Sequence, residues 1–309
     1  GPGDDDPGPV TPSGPPADNP SAPLTTPPQD HAVVAAAGRV YVLGGFAPGE
    51  TATVLAYDPA GDSWQPAASL PVAMHHANAA VIDDIIYVAG YLTGLTFSAQ
   101  GQVYSYDPGQ DEWTPLSVMP AGEERGSACV AALDGKLYVI GGSRGGAVAQ
   151  ASTFDPALGQ WASLPPLPAA REHCVAGAID GVLYVASGRA GGISSFESPT
   201  YAYDPAVGMW SERASIPIPR GGTAGAVLHG RLYVFGGEGN SADPSGVFPD
   251  IQAYDPALDQ WEELDDMEVP RHGFGAATLG DTIYLPGGAT VQAFGAVTDS
   301  SRFGFEAND

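Results

Sequence analysis

The chain has 309 residues, enough for two ordinary domains or for one large array of repeats. Its 42 glycines and 30 prolines disfavour long helices and favour short strands joined by turns. The formal net charge of −25 would repel nucleic-acid phosphates and anionic membranes, and no apolar run approaches the roughly 18 residues of a membrane-spanning helix.

Residues 1–19 differ from the rest of the chain in composition. They are rich in Pro, Gly and Asp and cannot bury a core, so we predict an acidic, flexible tether. No initiator methionine precedes Gly1-Pro2, a pair that is typical of a processing or cloning scar. Such tethers are common in exported bacterial proteins, including lipoproteins. We therefore expect an extracytoplasmic protein (periplasmic, cell-surface or secreted), with a lipid anchor ahead of Gly1 as one way of holding it there.

A repeat of about fifty residues organises the rest of the chain. Each of the five tryptophans is followed seven or nine residues later by a proline, as in Trp64 and Pro71. A second marker is a tyrosine in an apolar strand, which recurs six times at separations of 46 to 51 residues: Tyr41, Tyr87, Tyr138, Tyr184, Tyr233 and Tyr284. Six tyrosines in one position indicate six repeats.

Two further elements complete the repeat. The tyrosine strand ends in a glycine doublet such as Gly44-Gly45, which is degenerate at Ala89-Gly90 and Ser187-Gly188. The next strand ends in an aromatic residue followed by Asp-Pro, as in Tyr57-Asp58-Pro59, because Pro cannot continue a ladder and Asp favours a turn. Gly-Gly, Tyr-Asp-Pro and Trp at these spacings resemble the kelch repeat over residues 20–309. The resemblance implies an all-β fold, a six-bladed kelch β-propeller in which each repeat is a four-stranded blade.

The predicted blades span about 31–73, 74–124, 125–170, 171–219, 220–270 and 271–309. The sixth repeat has no tryptophan strand. The segment before the first blade ends in Pro27 and Pro28, which match the terminal prolines of the other repeats. We therefore predict that an N-terminal strand at 20–26 completes the sixth blade and protects an open sheet edge.

The chain has two cysteines, Cys129 and Cys174, near the starts of adjacent repeats but one residue out of register. We favour two free buried thiols over a disulfide. Two cysteines do not amount to a disulfide framework, so they do not fix the cellular compartment.

The candidate site lies on the top face, where a propeller gathers its strand-two-to-three loops and its blade-to-blade connections. Aligning the repeats on their tyrosines defines three consecutive positions after each terminal proline. The first holds Pro28, Met74, Arg125, Arg171, Arg220 and Arg271. The second holds Gln29, His75, Gly126, Glu172, Gly221 and His272, and the third holds Asp30, His76, Ser127, His173, Gly222 and Gly273.

The residues that follow the glycine doublets share this face, among them Tyr91, Arg189 and Glu238. In kelch substrate-adaptor domains these positions line the ligand pocket, and the resemblance implies the same here. Packing does not demand histidine at positions where other blades carry glycine or serine. The ligand-binding candidates are His75, His76, Tyr91, Arg125, Glu172, His173, Arg189, Glu238, Arg271 and His272.

Three functions are compatible with these residues. The leading one is a monomeric recognition module that binds a protein, a carbohydrate or another polar or anionic ligand without a cofactor. The second is a metal site for Zn, Cu or Fe, with candidate ligands His75, His76, His173 and His272 and an oxygen from Asp30 or Glu172. The third is a mutarotase- or lyase-like enzyme acting on an acidic sugar, with catalytic candidates His75, His272, Glu172, Arg189 and Tyr91.

Overall fold

The computed structural model describes residues 16–305. Residues 1–15 of the predicted tether lie outside the described residues, as do residues 306–309. Over the described range the chain forms 24 β-strands in six four-stranded antiparallel sheets. No helix in that range is long and apolar enough to cross a membrane.

Each sheet is one propeller blade, and in blades one to five the strands follow chain order from the channel outward. Blade one contains β2 (Ala32–Ala36), β3 (Arg39–Leu43), β4 (Val54–Asp58) and β5 (Ser63–Ala67). Blade two contains β6 (Ala79–Ile82), β7 (Ile85–Thr93), β8 (Ser98–Asp107) and β9 (Glu112–Val118). Blade three contains β10 (Cys129–Leu133), β11 (Lys136–Ile140), β12 (Ala151–Asp155) and β13 (Gln160–Leu164).

The second half of the chain repeats the arrangement. Blade four contains β14 (Val175–Ile179), β15 (Val182–Ala186), β16 (Thr200–Asp204) and β17 (Met209–Arg213). Blade five contains β18 (Ala224–Leu228), β19 (Arg231–Phe235), β20 (Ile251–Asp255) and β21 (Gln260–Glu263). Blade six contains β22 (Ala277–Leu279), β23 (Thr282–Pro286) and β24 (Ser300–Gly304), and β1 (Ala17–Pro20) is its outer strand.

The repeated aromatic residues join neighbouring blades. The ring of Tyr41, in the second strand of blade one, packs edge-on against Tyr106 of blade two at 5.8 Å between centroids. The outer-strand tryptophans reach the blade before them: Trp113 Nε1 donates a hydrogen bond of 2.9 Å to the Ala68 carbonyl. The repeat therefore encodes both the blade and its contact with the next blade, burying aromatic surface between sheets.

The glycine doublet lets the backbone turn where adjacent blades approach each other. Gly44 has a φ of +62°, and a Cβ on it would lie 2.5 Å from the Met74 carbonyl oxygen. In blade two Gly90 takes the equivalent position, with a φ of +86°, but Tyr91 replaces the second glycine of the doublet, and there the strand does not turn aside. Instead β7 runs on to Thr93, pairs with β8 through a bulge and forms a hairpin that rises from the top face.

An N-terminal strand closes the propeller, as the sequence predicts, but the predicted bounds of 20–26 are wrong. The strand is β1, Ala17–Pro20, and it pairs antiparallel with β24 so that Asp18 faces Phe303. In blade one the strand ends three residues before the buried Leu70, and Leu24 is the buried equivalent in the N-terminal segment. Aligning on prolines alone placed the strand too late, and residues 17–19 of the predicted tether belong to the propeller.

The prediction of two free thiols is also wrong. Cys129 and Cys174 form a disulfide with a Cα–Cα distance of 5.2 Å, closing a sequence separation of 45 residues. Cys129 begins the inner strand of blade three, and Cys174 directly precedes the inner strand of blade four. The innermost strands of adjacent blades run close enough for a disulfide despite the one-residue offset in register. The bond ties two blades together beside the channel.

Removing β1 should destabilise the whole propeller, because β24 would become an unpaired edge and blade six would lose its link to blade one. We expect a chain that begins at Ser21 to melt about 5 °C or more below a chain that begins at Pro16. Thermal unfolding followed by circular dichroism measures the difference. Equal melting temperatures would show that β1 does not hold the ring closed.

Candidate functional site

A closed cycle of six backbone hydrogen bonds surrounds the top of the channel. It runs through the third aligned position of every blade, and we call these six residues the mouth ring: Asp30, His76, Ser127, His173, Gly222 and Gly273. The amide of each residue donates to the carbonyl of its counterpart in the preceding blade, and the Asp30 amide completes the cycle by donating to Gly273. The N–O distances around the cycle are 2.8, 2.9, 3.0, 3.3, 2.9 and 2.6 Å, starting at His76.

The mouth ring has an unusual backbone conformation. All six residues have φ between 48° and 71° — the values are 54, 49, 53, 52, 70 and 58° in chain order — which is the left-handed region. Asp and His adopt this region more readily than most residues, whereas a β-branched side chain would be strained there. Two positions are glycine, and a Cβ on Gly273 would lie 2.7 Å from the Asp30 carboxylate. Glycine therefore leaves room for the polar side chains of the other blades.

The ring residues line a small polar cavity of about 100 Å³, which also contacts His31, Thr223 and Phe274. It adjoins a second cavity of about 180 Å³ in the channel, which His31, Thr223 and Phe274 also line. Just below, His31 is buried, and its Nε2 lies 2.8 Å from the Pro286 carbonyl. Burial lowers the pKa of His31 to about 4, so this ring is neutral at physiological pH.

Three histidines form a continuous chain of contacts at the mouth. His75 Nε2 lies 2.9 Å from the Gly94 carbonyl, and His75 Nδ1 lies 2.6 Å from His76 Nδ1. His76 Nε2 in turn lies 2.9 Å from His173 Nε2 and 3.4 Å from Asp30 Oδ1. Burial, followed by the neighbouring charges of His173, His75 and Arg189, holds the pKa of His76 well below its usual value.

Beyond His173 the contacts continue through side chains of alternating charge, namely Glu172, Arg189 and Glu238. Glu172 accepts from Arg189 Nε at 3.1 Å, and Arg189 Nη1 donates to Glu238 at 2.9 Å. Burial raises the pKa of Glu172, but His173 and Arg189 outweigh it and bring the value down to about 2. The pKa of Glu238 is lowered for the same kind of reason: burial opposes ionisation, and His272, the Ala293 amide and Arg189 favour it.

The structure brings five of the predicted ligand-binding residues to the mouth: His76, Glu172, His173, Arg189 and Glu238. His75 and His272 are buried behind this front row. His75 supports His76, and His272 donates from Nε2 to the Val291 carbonyl at 2.7 Å. Of the five catalytic candidates, Glu172 contacts the cavity-lining His173, and Arg189 is bonded to Glu172.

Arg125 and Arg271 were predicted as ligand-binding residues, and the structure contradicts this. Both are completely buried inside their blades. Arg125 Nε donates to the Gly141 carbonyl and Arg271 Nη1 to the Gly287 carbonyl, each at 2.8 Å. A guanidinium carries five donors, and here they satisfy carbonyls that the turning strand leaves free. These arginines hold the glycine doublets in place.

Tyr91 is the third correction. It is 4% exposed and packs against Tyr104, with ring centroids 6.3 Å apart. Gly90 keeps the place of the first glycine, whereas Tyr91 replaces the second, so the backbone continues β7 and Leu92 is the residue that pairs with His75. The Tyr91 side chain therefore faces the core between blades, and burial raises its pKa above the usual range for tyrosine.

Two apolar clusters flank the polar mouth. The first lies over blades six, one and two, where Phe46 contacts Phe294 at 5.6 Å, and Phe97 lies over His75 at 4.8 Å between ring centroids. The second lies over blades four and five, where Phe196 and Phe248 pack edge-on at 5.9 Å. Leu95 at the hairpin tip is 80% exposed and Phe294 is 58% exposed.

Several contacts at the site could not be predicted from the sequence. The Ser127 hydroxyl lies 2.9 Å from His173 Nδ1. The Glu50 carboxylate accepts a hydrogen bond of 3.0 Å from the Gly94 amide. Phe294 lies in the blade-six loop, next to Ala293, whose carbonyl accepts from the side chain of Gln29 at 2.7 Å. The alignment places Ser127 and Gln29 on the mouth, but it gives no signal of these partners in other blades.

One group of side chains has the donor types of a metal site. Asp30, His76 and His173 each present one ligand atom, and these atoms all lie within 4.8 Å of one another. All three are among the predicted metal candidates, Asp30 as the oxygen ligand, whereas His75 and His272 turn their Nε2 atoms to backbone carbonyls.

The fold and the site together define a six-bladed β-propeller with a narrow polar mouth. A family model, the KLHDC2/KLHL20/DRC7 Kelch-repeats domain, matches residues 118–288, and a Kelch motif model matches residues 27–71. The chain belongs to the kelch-repeat family.

Individual relatives support membership of the kelch-repeat family. Kelch-like protein terF of Aspergillus terreus is 35% identical over 283 residues, which make up 86% of this chain and 62% of terF. Human Kelch-like protein 23 is 29% identical over 161 residues, 51% of this chain and 28% of that protein. The chain thus spans less than two thirds of either relative. The solved structure of YjhT shares the fold, with a TM-score of 0.75 at 18% identity over 91% of this chain and 96% of YjhT.

Arg189 should be the most sensitive charge at the mouth, because its removal leaves Glu172 and Glu238 buried without their shared partner. We expect Arg189→Met to lower the free energy of unfolding by about 3 kcal/mol. The matched control is Arg231→Met, whose partner Glu262 is 55% exposed and whose loss should cost at most about 1 kcal/mol. Urea denaturation measures both, and equal costs would contradict the buried pairing.

Proposed function

We propose that this domain is a protein-recognition module whose top face binds a segment with apolar and basic side chains. The observation that carries the proposal is the pair of apolar clusters on either side of the mouth. Their exposed members belong to loops that differ in length between blades, while the strands beneath are regular. Loops of variable length on a rigid scaffold are where binding residues concentrate. Membership of the kelch family supports the same function, since kelch propellers commonly bind proteins.

The apolar residues of the opposite face have a different character. Leu158 and Leu258 are also exposed, at 67% and 64%, but each sits in the Asp-Pro turn of its own blade. The turns of blades three, four and five are of equal length and lie at the periphery. Scattered single apolar residues are ordinary on protein surfaces, whereas an aromatic cluster around a central depression marks an interaction site.

The charge of the mouth favours a basic partner over an anionic one. Asp30, Glu172 and Glu238 contribute three carboxyl groups, and Arg189 is already bonded to two of them. Arg189 is therefore not free to bind the carboxylate of an acidic sugar. The net charge of −25 would further steer basic segments to the surface. These observations favour recognition over the mutarotase- or lyase-like activity.

We further propose that the domain works outside the cytoplasm. The disulfide supports this location, since such bonds persist in oxidising compartments. The relatives named above are fungal and human, and a bacterial source stays a prediction from the acidic N-terminal sequence.

A display library of random peptides, selected on the immobilised domain, tests the proposal. We expect enriched peptides to combine aromatic or aliphatic residues with Lys or Arg. Binding should weaken by roughly tenfold or more in a Leu95→Asp/Phe294→Asp variant. The matched control, Leu158→Asp/Leu258→Asp, alters two equally exposed leucines on the opposite face and should bind as the parent does. The proposal would be contradicted if no peptides were enriched, or if only the control substitutions weakened the binding of the enriched peptides.

A further inference from the structure

The mouth ring brings three potential metal ligands together from blades one, two and four. Asp30 Oδ1 lies 3.4 Å from His76 Nε2, which lies 2.9 Å from His173 Nε2. The side chains are shielded, with 12%, 6% and 11% of their surface exposed in that order. They line a cavity of about 100 Å³, which has room for an ion and several waters.

The neighbours of His76 determine which of its nitrogens carries hydrogen. A carbonyl oxygen only accepts hydrogen bonds, so His75 must hold its proton on Nε2, which faces the Gly94 carbonyl at 2.9 Å. A neutral His75 then has a bare Nδ1, which accepts from His76 Nδ1 at 2.6 Å. His76 is left with a bare Nε2 lone pair directed at the cavity.

The neighbours of His173 likewise determine which of its nitrogens carries hydrogen. Its Nδ1 lies 3.0 Å from Glu172 Oε2 and 2.9 Å from Ser127 Oγ. The carboxylate accepts the Nδ1 proton, and His173 Nε2 is therefore also bare. Two lone pairs then face each other at 2.9 Å, beside the carboxyl group of Asp30. Such an arrangement is repulsive unless a cation lies between the ligand atoms.

We propose that Asp30, His76 and His173 bind one divalent first-row transition-metal ion at the channel mouth. With metal–nitrogen bonds of about 2.0–2.1 Å, ligand atoms lie about 2.9 Å apart at a right angle and about 3.4 Å apart at a tetrahedral angle. The two short separations at His76 fall at these values. The cavity side of the ion stays open to water, which is the arrangement of sites that keep a free coordination position.

The surrounding hydrogen bonds are those that metal-binding histidines usually have. Such histidines donate their other ring N–H to a carboxylate, a carbonyl or a similar group, which fixes the ring and raises its basicity. Glu172 serves His173 in this way, and the Gly94 carbonyl serves His76 through His75. Two imidazoles and a carboxylate suit Zn²⁺, Fe²⁺ and related ions more than Ca²⁺ or Mg²⁺, which prefer oxygen ligands.

A shared proton is the alternative occupant of the same position. It would come from a protonated Asp30 or from an imidazolium, and it would satisfy the facing nitrogens without a metal. The two occupants differ in a measurable way, since a proton gives no stoichiometric metal binding.

Titration of untagged, chelator-treated protein with Zn²⁺ and with Co²⁺ tests the site. We expect one ion per chain by isothermal calorimetry, and visible absorption from bound Co²⁺. A His76→Ala/His173→Ala variant should bind at least about 100-fold more weakly. His229→Ala is the matched control, because His229 forms an exposed pair with Asp281 at 2.9 Å on the opposite face, and it should still bind one ion.

Two further measurements keep the result interpretable if the double variant does not fold. In the unmodified protein, ¹⁵N NMR of the histidine rings should show Zn²⁺ shifting Nε2 of two of the six histidines. Glu172→Gln should weaken Zn²⁺ binding by about 10- to 100-fold, as expected for the carboxylate behind a ligand. Absence of stoichiometric binding by Zn²⁺, Co²⁺, Fe²⁺ and Cu²⁺, or binding that only His229→Ala abolishes, would overturn the proposal.

Discussion

The cycle of backbone hydrogen bonds at the channel mouth is the constraint on which the site depends. The blades are separate sheets, joined by side-chain packing and by backbone hydrogen bonds such as that from the Gly142 amide to the Arg171 carbonyl. Here six amides and six carbonyls, one pair from each blade, bond head to tail until the cycle meets itself between Gly273 and Asp30. Each bond contributes modestly to stability, about 1 kcal/mol, but a closed cycle fixes all six blades at one radius. Losing one bond would leave a buried donor and acceptor unpaired.

The radius of the mouth ring determines which side chains can meet at the channel mouth. The left-handed backbone of the mouth ring directs consecutive side chains into one narrow space, where Asp30, His76 and His173 meet. The second aligned position supplies the groups behind them, such as His75 and Glu172, and the arginines of the first position hold the glycine doublets from inside the blade. The outer loops then determine what can approach.

The sequence predicts the architecture well because the repeat is carried by backbone-determining residues. Asp-Pro turns, glycine doublets and aromatic positions recur with little variation, and six tyrosines are enough to count the blades. The same alignment places all six mouth-ring residues in one position. It fails where the outcome depends on a neighbouring blade. From the sequence alone Arg125 resembles a surface cation, yet its guanidinium is buried and donates to backbone carbonyls and to the Ser152 hydroxyl. Cys129 and Cys174 are out of register in the alignment but adjacent in space. Which nitrogen of His76 bears a proton follows only from its contact with His75, whose other ring nitrogen faces the Gly94 carbonyl.

Amide hydrogen exchange of the mouth ring tests the central claim most directly. If the cycle holds the blades together, the amides of Asp30, His76, Ser127, His173, Gly222 and Gly273 should exchange only on global unfolding, as slowly as the inner-strand amides. The amide of Leu95, at the exposed hairpin tip, provides the fast reference in the same experiment. Mouth-ring amides that exchange as fast as Leu95 would show that the cycle opens locally, and that it does not position the site.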